Sequence, residues 1–355
     1  MLVIHRTQTD GTDNLPPNDV IFGKSAFMAS VRTMVEKVAS TTLPILLQGE
    51  SGTGKDVIAR LLHARSKRAS RPLVKVSCPA IPDSLIESEL FGYERGAFTG
   101  ALTTKPGQVE RAHMGTLFLD EVGCLCPSVQ TKLLQLLQDG TFNRLGGQES
   151  LRINTRLICA TNENLLQQTE KGRFRRDILF RINAITLELP PLRQRIVDLA
   201  ALADYFLARY SRAFNADPKP LPAEIMRRMQ GYHWPGNIRE LENLIRGFVL
   251  VDQEEWIYLQ MAQSKPAGRD SEVDLSKPVS LKAITKDASR RLEHQIIWKV
   301  LEMHGWNRMK TAHWLKISYR SLMYKLKDVG PCVSDCASGE GADADSLDRN
   351  PGESR

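Results

Sequence analysis

The chain has 355 residues, of which 42% are hydrophobic and 25% are charged, a composition that argues against a wholly disordered protein and allows two to three domains with cores of their own. The formal net charge of +7 predicts an anionic partner without distinguishing nucleic acid from nucleotide or membrane surface. The sequence shows neither an apolar leader nor a long apolar span, which argues against secretion and membrane insertion and predicts a cytoplasmic protein.

The first two segments of the chain differ in pattern. Residues 1–18 are polar and contain two adjacent prolines, so we expect a short disordered leader that is too small to be a sensing domain. Across residues 19–192, short β-rich runs alternate with longer helical patterns. The candidate strands are residues 45–48, 73–77, 116–120, 156–160 and 185–189. This alternation predicts an α/β fold, a parallel sheet flanked by helices.

A glycine-rich loop follows the first candidate strand and opens a helical pattern. It has the spacing of a Walker A motif and consists of Gly49, Glu50, Ser51, Gly52, Thr53, Gly54 and Lys55. Its glycines let the backbone wrap phosphates, and Lys55 adds a positive charge near the β- and γ-phosphates of ATP. Asp56 replaces the usual Ser or Thr after the lysine, so we expect Mg²⁺ to be held through Thr53 or through water.

Four mostly apolar residues and two acids form the third candidate strand and its end, at residues 116–121. This is the pattern of a Walker B motif, in which Asp120 holds Mg²⁺ and Glu121 polarises the attacking water as general base. A buried strand that ends in acids at a turn is the alternative. The position downstream of a Walker A loop favours the catalytic interpretation.

Further polar residues are candidates for contact with ATP. Asn162 follows the fourth candidate strand, where it could orient water or contact the γ-phosphate, although a strand-terminating turn would use Asn as well. Arg175, Arg176 and Arg181 lie in a basic segment from which arginine fingers could reach the nucleotide of a neighbouring subunit. A solvated basic helix face has the same pattern, so both interpretations stay open.

The rest of the chain divides by composition. Residues 193–260 have helical periodicity interrupted by a Trp-Pro-Gly-Asn turn, and they predict a small all-helical second domain. Residues 261–279 are rich in Ser, Lys, Pro, Asp and Gly, which is typical of a linker. Helical patterning resumes at 280–330, and we expect a disordered tail at 331–355.

Residues 96–101, between the Walker motifs, spell the hexapeptide GAFTGA. Glycines at both ends permit a protruding loop with Phe98 at its tip and Thr99 beside it, whereas a buried turn around a core phenylalanine is the alternative. With this hexapeptide the chain resembles the bacterial enhancer-binding activators of sigma-54 RNA polymerase, from about Phe22 to Tyr258. The resemblance implies an AAA+ ATPase with an all-α lid, whose loop contacts sigma-54 through Gly96, Ala97, Phe98, Thr99, Gly100 and Ala101.

The resemblance also implies roles for matching positions. These are Walker A for Gly49 to Asp56, Walker B for Asp120 and Glu121, sensor I for Thr161 and Asn162, arginine fingers for Arg175 and Arg181, sensor II for Arg239, and a second mobile loop for residues 144–147. Ser77 departs from the family pattern, because an asparagine usually stands there and restrains the catalytic glutamate. A hydrogen bond from Ser77 to Glu121 has a shorter reach, so we expect looser coupling between hydrolysis and partner contact.

Most of the excess positive charge lies near the end of the chain, where residues 286–328 contain ten Lys or Arg and four acids, a net charge of +6. The pattern at 305–327 resembles a Fis-type helix-turn-helix, a small all-α domain, with Lys316 where glycine is usual. Its second helix would enter the major groove of enhancer DNA. The residues predicted to contact DNA are Ser318, Tyr319, Arg320, Ser321, Tyr324 and Lys325. A basic bundle that only dimerises is the alternative.

Taken together, the motifs predict a transcription activator whose subunits assemble into a ring, expected to be a hexamer, and bind ATP and Mg²⁺ between neighbours. Hydrolysis would move the GAFTGA loop and remodel sigma-54 RNA polymerase. The short leader predicts control by a trans-acting regulator, by expression level or by a related subunit in a mixed ring. Two alternatives stay open: a remodelling ATPase with another target, and a DNA-binding co-regulator with weak ATPase activity that needs a partner subunit.

The cysteines follow no zinc-finger spacing, so we expect reduced thiols. They are Cys78, Cys124, Cys126, Cys159, Cys332 and Cys336. Cys124, which replaces a usual acid after Walker B, forms a C-x-C with Cys126, and the last two form a C-x-x-x-C. A redox or metal role is an alternative, but neither pair has the His or Cys neighbours that complete a tetrahedral site.

Overall fold

The computed structural model describes residues 15–217, 219–251, 254–263, 297, 300 and 308–322. The chain divides into two compact units between Ala267 and Gly268, and each unit is described by itself. The predicted tail, nearly all of the predicted leader and most of the predicted linker lie outside the described residues.

The first part of the first unit is an α/β fold. Its strands are β1 (Ile45–Gln48), β2 (Leu73–Ser77), β3 (Gly92–Tyr93), β4 (Lys105–Pro106), β5 (Thr116–Asp120), β6 (Thr141–Asn143), β7 (Ser150–Arg152), β8 (Arg156–Thr161) and β9 (Ile185–Glu188). Its helices are α1 (Asn18–Phe22), α2 (Ala26–Val38), α3 (Lys55–Ala64), α4 (Asp83–Phe91), α5 (Gln108–Arg111), α6 (Pro127–Asp139), α7 (Leu165–Glu170) and α8 (Arg176–Ile182).

Five strands form one parallel sheet in the order β2-β5-β8-β1-β9. In its register Ser77 lies opposite Asp120, and Gln48 lies opposite Thr161. The carboxyl ends of four strands therefore meet at one edge, where ligands bind in open α/β sheets. The predicted parallel sheet is confirmed, with β8 one residue longer and β9 one residue shorter than expected.

Each face of the sheet has its own core. Leu117 and Leu119 of β5 pack in a cluster with Val129 and Leu133 of α6, whereas Phe118 belongs to the cluster on the other side, with residues of α2 and α3. This split follows from the strand period of two, which points successive side chains to opposite faces. Burial on both faces explains why the strands read as apolar runs in the sequence.

One buried guanidinium ties the start of β8 to the ends of two helices. Arg156 is 1% exposed, and its Nη1 donates to the carbonyl oxygens of Ala39 at 2.7 Å and Leu62 at 3.3 Å. Its Nη2 donates to the carbonyl oxygen of Val38 at 2.9 Å. Because α2 ends at Val38 and α3 ends at Ala64, Arg156 satisfies carbonyls that the helix ends leave without an intrahelical partner.

A helical lid completes the first unit. It comprises α9 (Leu199–Phe214), α10 (Ala223–Gln230), α11 (Asn237–Val251) and α12 (Glu254–Gln263). Trp234 is fully buried in the lid core, and its indole nitrogen donates to the carbonyl oxygen of Met229 at 2.9 Å. The last helix continues past the predicted boundary at residue 260, because Met261 packs against the lid core.

The second unit is described at residues 297, 300 and 308–322. Helix α13 (Arg308–Trp314) is followed by a turn, and helical conformation resumes at 319–322. Ala312 and Leu322 pack with Ile297 in a small core. Of the helices in the described ranges of both units, none combines the length and the apolar character that a membrane crossing requires.

We predict that Arg156→Met lowers the free energy of unfolding of the first unit by about 3 kcal/mol, because buried carbonyls lose their donors while the side-chain volume is nearly kept. The melting temperature should fall by ~8 °C, measured by circular dichroism. Arg152→Met on β7 is the control, since Arg152 is exposed and its change should shift the melting temperature by only ~1 °C. Equal melting temperatures for both variants would contradict the capping role of Arg156.

Candidate functional site

The Walker A loop leaves the end of β1 and turns into α3. Gly52 and Gly54 adopt φ values of +79° and +101°, which favour glycine over residues with a side chain. A Cβ on Gly52 would lie 2.2 Å from the carbonyl oxygen of Gly236 in the lid, so a side chain is sterically excluded there. Lys55 begins α3, and its Nζ donates to the carbonyl oxygen of Gly49 at 2.7 Å. The loop therefore has the backbone shape that wraps phosphates.

Glu121, the predicted general base, is held from two sides. Its Oε1 lies 3.1 Å from Nζ of Lys55, and its Oε2 accepts a hydrogen bond of 2.8 Å from the backbone N–H of Asn162. Glu121 has a φ of +58°, an uncommon conformation for a residue with a side chain. Asn162, the predicted sensor residue, thus contacts the glutamate through its main chain.

Ser77 does not restrain this glutamate. It lies beside Asp120 in the sheet register and lines the same cavity as Glu121, but within the described residues the hydrogen bonds to the glutamate carboxylate come from Asn162 and Lys55. The predicted hydrogen bond from Ser77 to Glu121 is therefore not formed, because the short serine side chain does not span the gap between the two strand ends.

The residues around Asp120 suit a hydrated divalent cation. Burial raises the pKa of Asp120, although the nearby Lys75 ammonium, 3.7 Å away, opposes this. Asp56 is already paired, because its carboxylate binds Lys75 at 2.5 Å and Arg60 at 2.7 Å. Asp120 and Thr53 both line the P-loop cavity and carry oxygen atoms, the ligand type that Mg²⁺ prefers. The buried hydroxyl of Thr53 donates to the carbonyl oxygen of Glu50 at 2.8 Å and keeps lone pairs for a cation.

A cavity of about 510 Å³ adjoins these residues. Its polar end holds the P-loop, Asp120 and Glu121. Its apolar wall includes Val20, Ile21, Leu189, Leu202, Tyr205 and Phe206. Arg195 also lines it, and burial lowers the pKa of Arg195 to about 10, so that this guanidinium stays charged at neutral pH. A cavity with one phosphate-binding end and one apolar end has room for a nucleotide.

Glu50 joins the P-loop to the lid. Its carboxylate accepts hydrogen bonds from both terminal nitrogens of Arg193 and from Nδ2 of Asn237, the latter at 3.2 Å. The hydrogen bond from Arg193 is the main reason why the pKa of Glu50 falls to about 2. Beside this pair, Nη1 of Arg239 donates to Oγ of Ser51 at 2.9 Å. The first turn of α11 therefore sits directly on the P-loop.

The GAFTGA residues lie on a loop between the paired strands β3 and β4. Phe98 is 44% exposed, Thr99 is exposed, and Ala101 is buried. A Cβ on Gly96 or Gly100 would meet no atom within 4 Å. The loop tip is thus open to a partner, while Ala101 anchors the base. The alternative of a phenylalanine buried in the core is wrong.

The turn of a second hairpin, β6–β7, contacts the base of this loop. Nη1 of Arg144 donates to Glu94 at 2.7 Å, and its Nη2 donates to Glu110 at 2.6 Å. A Cβ on Gly146 would lie 2.8 Å from the Cβ of Ala97. The predicted second mobile loop therefore contacts the first one, and the charge of Arg144 joins the two loop bases.

The arginine-finger candidates lie away from the cavity of their own chain. Arg175 precedes α8, where it is exposed and ion-paired with Asp177 at 2.6 Å. Arg181 is exposed near the end of α8. Neither residue lines the cavity beside the P-loop. Both side chains are therefore open to solvent and lie outside the cavity of their own chain.

In the second unit, Lys316 has a φ of +52°, the left-handed conformation that explains why glycine is usual at this turn. Oγ of Ser318 accepts a hydrogen bond of 3.1 Å from the backbone N–H of Ser321, so Ser318 caps the second helix. Tyr319 and Arg320 are exposed, whereas Ser321 is half-buried. The predicted DNA contacts Tyr324 and Lys325 lie outside the described residues.

Comparison with known proteins agrees with this geometry. Residues 21–188 match the family described as the sigma-54 interaction domain, residues 193–276 match an AAA+ ATPase lid domain, and residues 289–328 match bacterial regulatory proteins of the Fis family. The chain is 42% identical over 313 residues to the regulatory protein AtoC of Escherichia coli (strain K12), which covers 87% of this chain and 68% of AtoC. The chain belongs to the sigma-54-dependent transcription activators.

Solved structures agree with the fold. NtrX from Brucella abortus in complex with ADP has a TM-score of 0.64 and 29% identity, covering 87% of this chain and 69% of NtrX. NtrX in complex with ATP has a TM-score of 0.63 and 28% identity over the same shares. The predicted combination of an α/β AAA+ domain, an all-α lid and a helix-turn-helix is therefore confirmed.

Some residues of this activator's site were missed by sequence reasoning. Lys75 had an available signal, because it precedes Ser77 by two residues and so shares its face of β2. Arg193 had no signal in the sequence, because it lies 143 residues from its partner Glu50. Leu102, 81% exposed beside the GAFTGA tip, was overlooked because an isolated apolar residue carries no pattern.

We predict that Glu50→Gln raises the dissociation constant for ATP about fivefold, measured by calorimetry. Loss of the negative charge weakens the contact with Arg193, so the lid and its Arg239 are held less firmly over the P-loop; the effect is small because Glu50 is partly exposed. Glu188→Gln on the exposed end of β9 is the control and should bind ATP as the unsubstituted protein does. An unchanged affinity in the Glu50 variant would show that this contact does not couple lid and nucleotide.

Proposed function

We propose that this activator hydrolyses ATP and uses the energy to remodel sigma-54 RNA polymerase, while its helix-turn-helix binds enhancer DNA. The observation that carries the proposal is the presence, in one folded unit, of a P-loop cavity with a positioned glutamate and an exposed GAFTGA tip. Neither feature alone distinguishes a remodelling ATPase from a nucleotide-binding scaffold.

The chemistry follows from the contacts of Glu121. Nζ of Lys55 lies 3.1 Å from Oε1 of Glu121 and shares its charge with this carboxylate. Phosphates in the P-loop compete for the same ammonium, so ATP binding releases one carboxylate oxygen of Glu121 to accept a proton from water. The backbone N–H of Asn162 keeps the other oxygen in place.

Mg²⁺ is the expected cofactor, held by Asp120 and by Thr53 or water, and it would supply charge neutralisation at the phosphates. The pairing of Asp56 with Lys75 and Arg60 makes Asp56 a support for the site and not a ligand. Lys75 also faces Asp120, so its ammonium group bridges the carboxylates of Asp56 and Asp120.

We expect the subunits to form a ring of six, in which the exposed Arg175 and Arg181 would have a role. Arg175 and Arg181 lie outside their own cavity and can reach the phosphates of a neighbouring subunit, where a guanidinium stabilises charge on the transferring phosphoryl group. The ion pair between Arg175 and Asp177 would have to open for this contact. Assembly would therefore complete the catalytic site.

The two contacting loops would transmit the conformational change that follows hydrolysis to the polymerase. The bases of the two loops share the charge of Arg144, and α6 lies between the Walker B turn and the second hairpin in the sequence. A movement of Glu121 can thus change the support under Phe98 and Thr99. These exposed tip residues are the expected contact with sigma-54.

We predict that Thr99→Ala leaves the steady-state ATPase rate within about twofold, because the change is confined to the exposed loop tip. Sigma-54-dependent transcription should fall by about tenfold or more, because the tip is the expected contact with sigma-54. Lys55→Ala should abolish both activities while DNA binding is kept, since it removes the charge that holds the phosphates. ATPase assays, transcription assays and gel shifts on the purified variants measure these effects.

Thr103→Ala is the matched control, because Thr103 is exposed on the same loop outside the hexapeptide. It should retain both activities. Loss of ATP hydrolysis in the Thr99 variant would contradict the assigned division between loop and catalytic site, and full transcription in that variant would remove the loop from the sigma-54 contact.

A further inference from the structure

One ammonium group lies between two carboxylates beside the P-loop. Nζ of Lys75 lies 2.5 Å from Oδ1 of Asp56 and 3.7 Å from Oδ2 of Asp120. Asp56 is in the first turn of α3, whereas Lys75 and Asp120 belong to the neighbouring strands β2 and β5. A helix and a strand thus hold a cation close to the carboxylate that is the proposed magnesium ligand.

The sheet register determines the direction of this lysine. Lys75 lies opposite Phe118 in the pairing of β2 with β5, and its Nζ is 5.7 Å from the centroid of the Phe118 ring, within the range of a cation–π contact. Because side chains alternate along a strand, Lys75 and Asp120 share one face of the sheet. Both residues line the P-loop cavity together with Thr53. The Lys75 ammonium therefore belongs to the surroundings of the proposed cation site.

Acidic and cationic groups are equal in number around this ammonium. Asp56 pairs with Lys75 and with Arg60, the latter at 2.7 Å, and Glu121 pairs with Lys55 at 3.1 Å. The Walker B aspartate is the third acid, so three carboxylates face three cationic groups. A divalent cation that entered alone would leave an excess of positive charge in the cavity, and Coulomb repulsion from Lys75 would oppose its binding.

We propose that Lys75 competes with a divalent cation for Asp120, so that the site takes up Mg²⁺ together with a nucleotide and not alone. This inference rests on the proposed role of Asp120 as a magnesium ligand. Phosphates in the P-loop add negative charge to the cavity and offset the charge of the cation, and Mg²⁺ in proteins is usually held by one or two carboxylates together with substrate phosphates. Lys75 thereby keeps the Walker B carboxylate from binding a free divalent cation between turnovers.

The test measures Mn²⁺ binding to the full chain by electron paramagnetic resonance, without nucleotide. Mn²⁺ is the probe because it takes the same oxygen ligands as Mg²⁺. Lys75→Met should lower the dissociation constant for Mn²⁺ about tenfold, because a repelling charge is removed; the side chain of Lys75 is 41% exposed, so water limits the effect. The same exposure means that the substitution should leave the fold intact.

Three further variants separate charge from shape and position. Lys75→Arg keeps the positive charge and should bind Mn²⁺ as weakly as the unsubstituted protein does. Lys67→Met is the matched control, because it changes the net charge equally in the exposed turn after α3, outside the P-loop cavity; its Mn²⁺ affinity should be unchanged. Asp120→Asn added to Lys75→Met should abolish the gain in affinity, since it removes the carboxylate for which Lys75 competes.

Several results would overturn the proposal. Equal Mn²⁺ affinities of Lys75→Met and the unsubstituted protein would remove the competition. Tight binding by Lys75→Arg would show that side-chain shape and not charge sets the affinity, and a gain that survives Asp120→Asn would place the bound ion elsewhere. An unsubstituted protein that hydrolyses no ATP with Mg²⁺ would contradict the proposed function instead, whereas the Mn²⁺ titration needs no nucleotide and still decides the role of Lys75.

Discussion

The in-register parallel pairing of β1, β2, β5 and β8 brings the P-loop and both acids of the Walker B motif to one edge of the sheet. The register puts Ser77 beside Asp120 and Gln48 beside Thr161, so the P-loop, the Walker B acids and Asn162 leave the sheet at one edge. A slip of one residue in any strand would turn its side chains to the opposite face. The apolar residues on both faces of the sheet therefore determine the site as much as its polar residues do.

At that edge, two contacts connect the nucleotide to the rest of the molecule. Lys55 pairs with Glu121, so the position of this glutamate, the proposed general base, depends on what occupies the P-loop. Glu50 binds Arg193 and Asn237, which makes the position of the lid depend on the same loop. Charged contacts of this kind reorganise when a phosphate competes for them, and they offer a physical route from ATP to movement.

The sequence predicted the strands closely because buried parallel strands are short apolar runs between polar turns. It also located the P-loop, the Walker B acids and the exposed GAFTGA tip, since each is a local pattern. The strand order and the contact of Arg193 with Glu50 depend on residues far apart in the chain, and local patterns carry no information about them. Ser77 shows a further limit, because its identity suggested a hydrogen bond to Glu121 that only the geometry could exclude.

We propose that ATP hydrolysis by this protein drives the remodelling of sigma-54 RNA polymerase. The most direct test of this proposal is open-complex formation by sigma-54 holoenzyme on a sigma-54-dependent promoter carrying enhancer DNA, with the purified protein and either ATP or a non-hydrolysable analogue. We expect promoter opening with ATP and none with the analogue. No opening with ATP, while binding to DNA and to sigma-54 is intact, would contradict an autonomous activator and identify a co-regulator that needs a partner subunit.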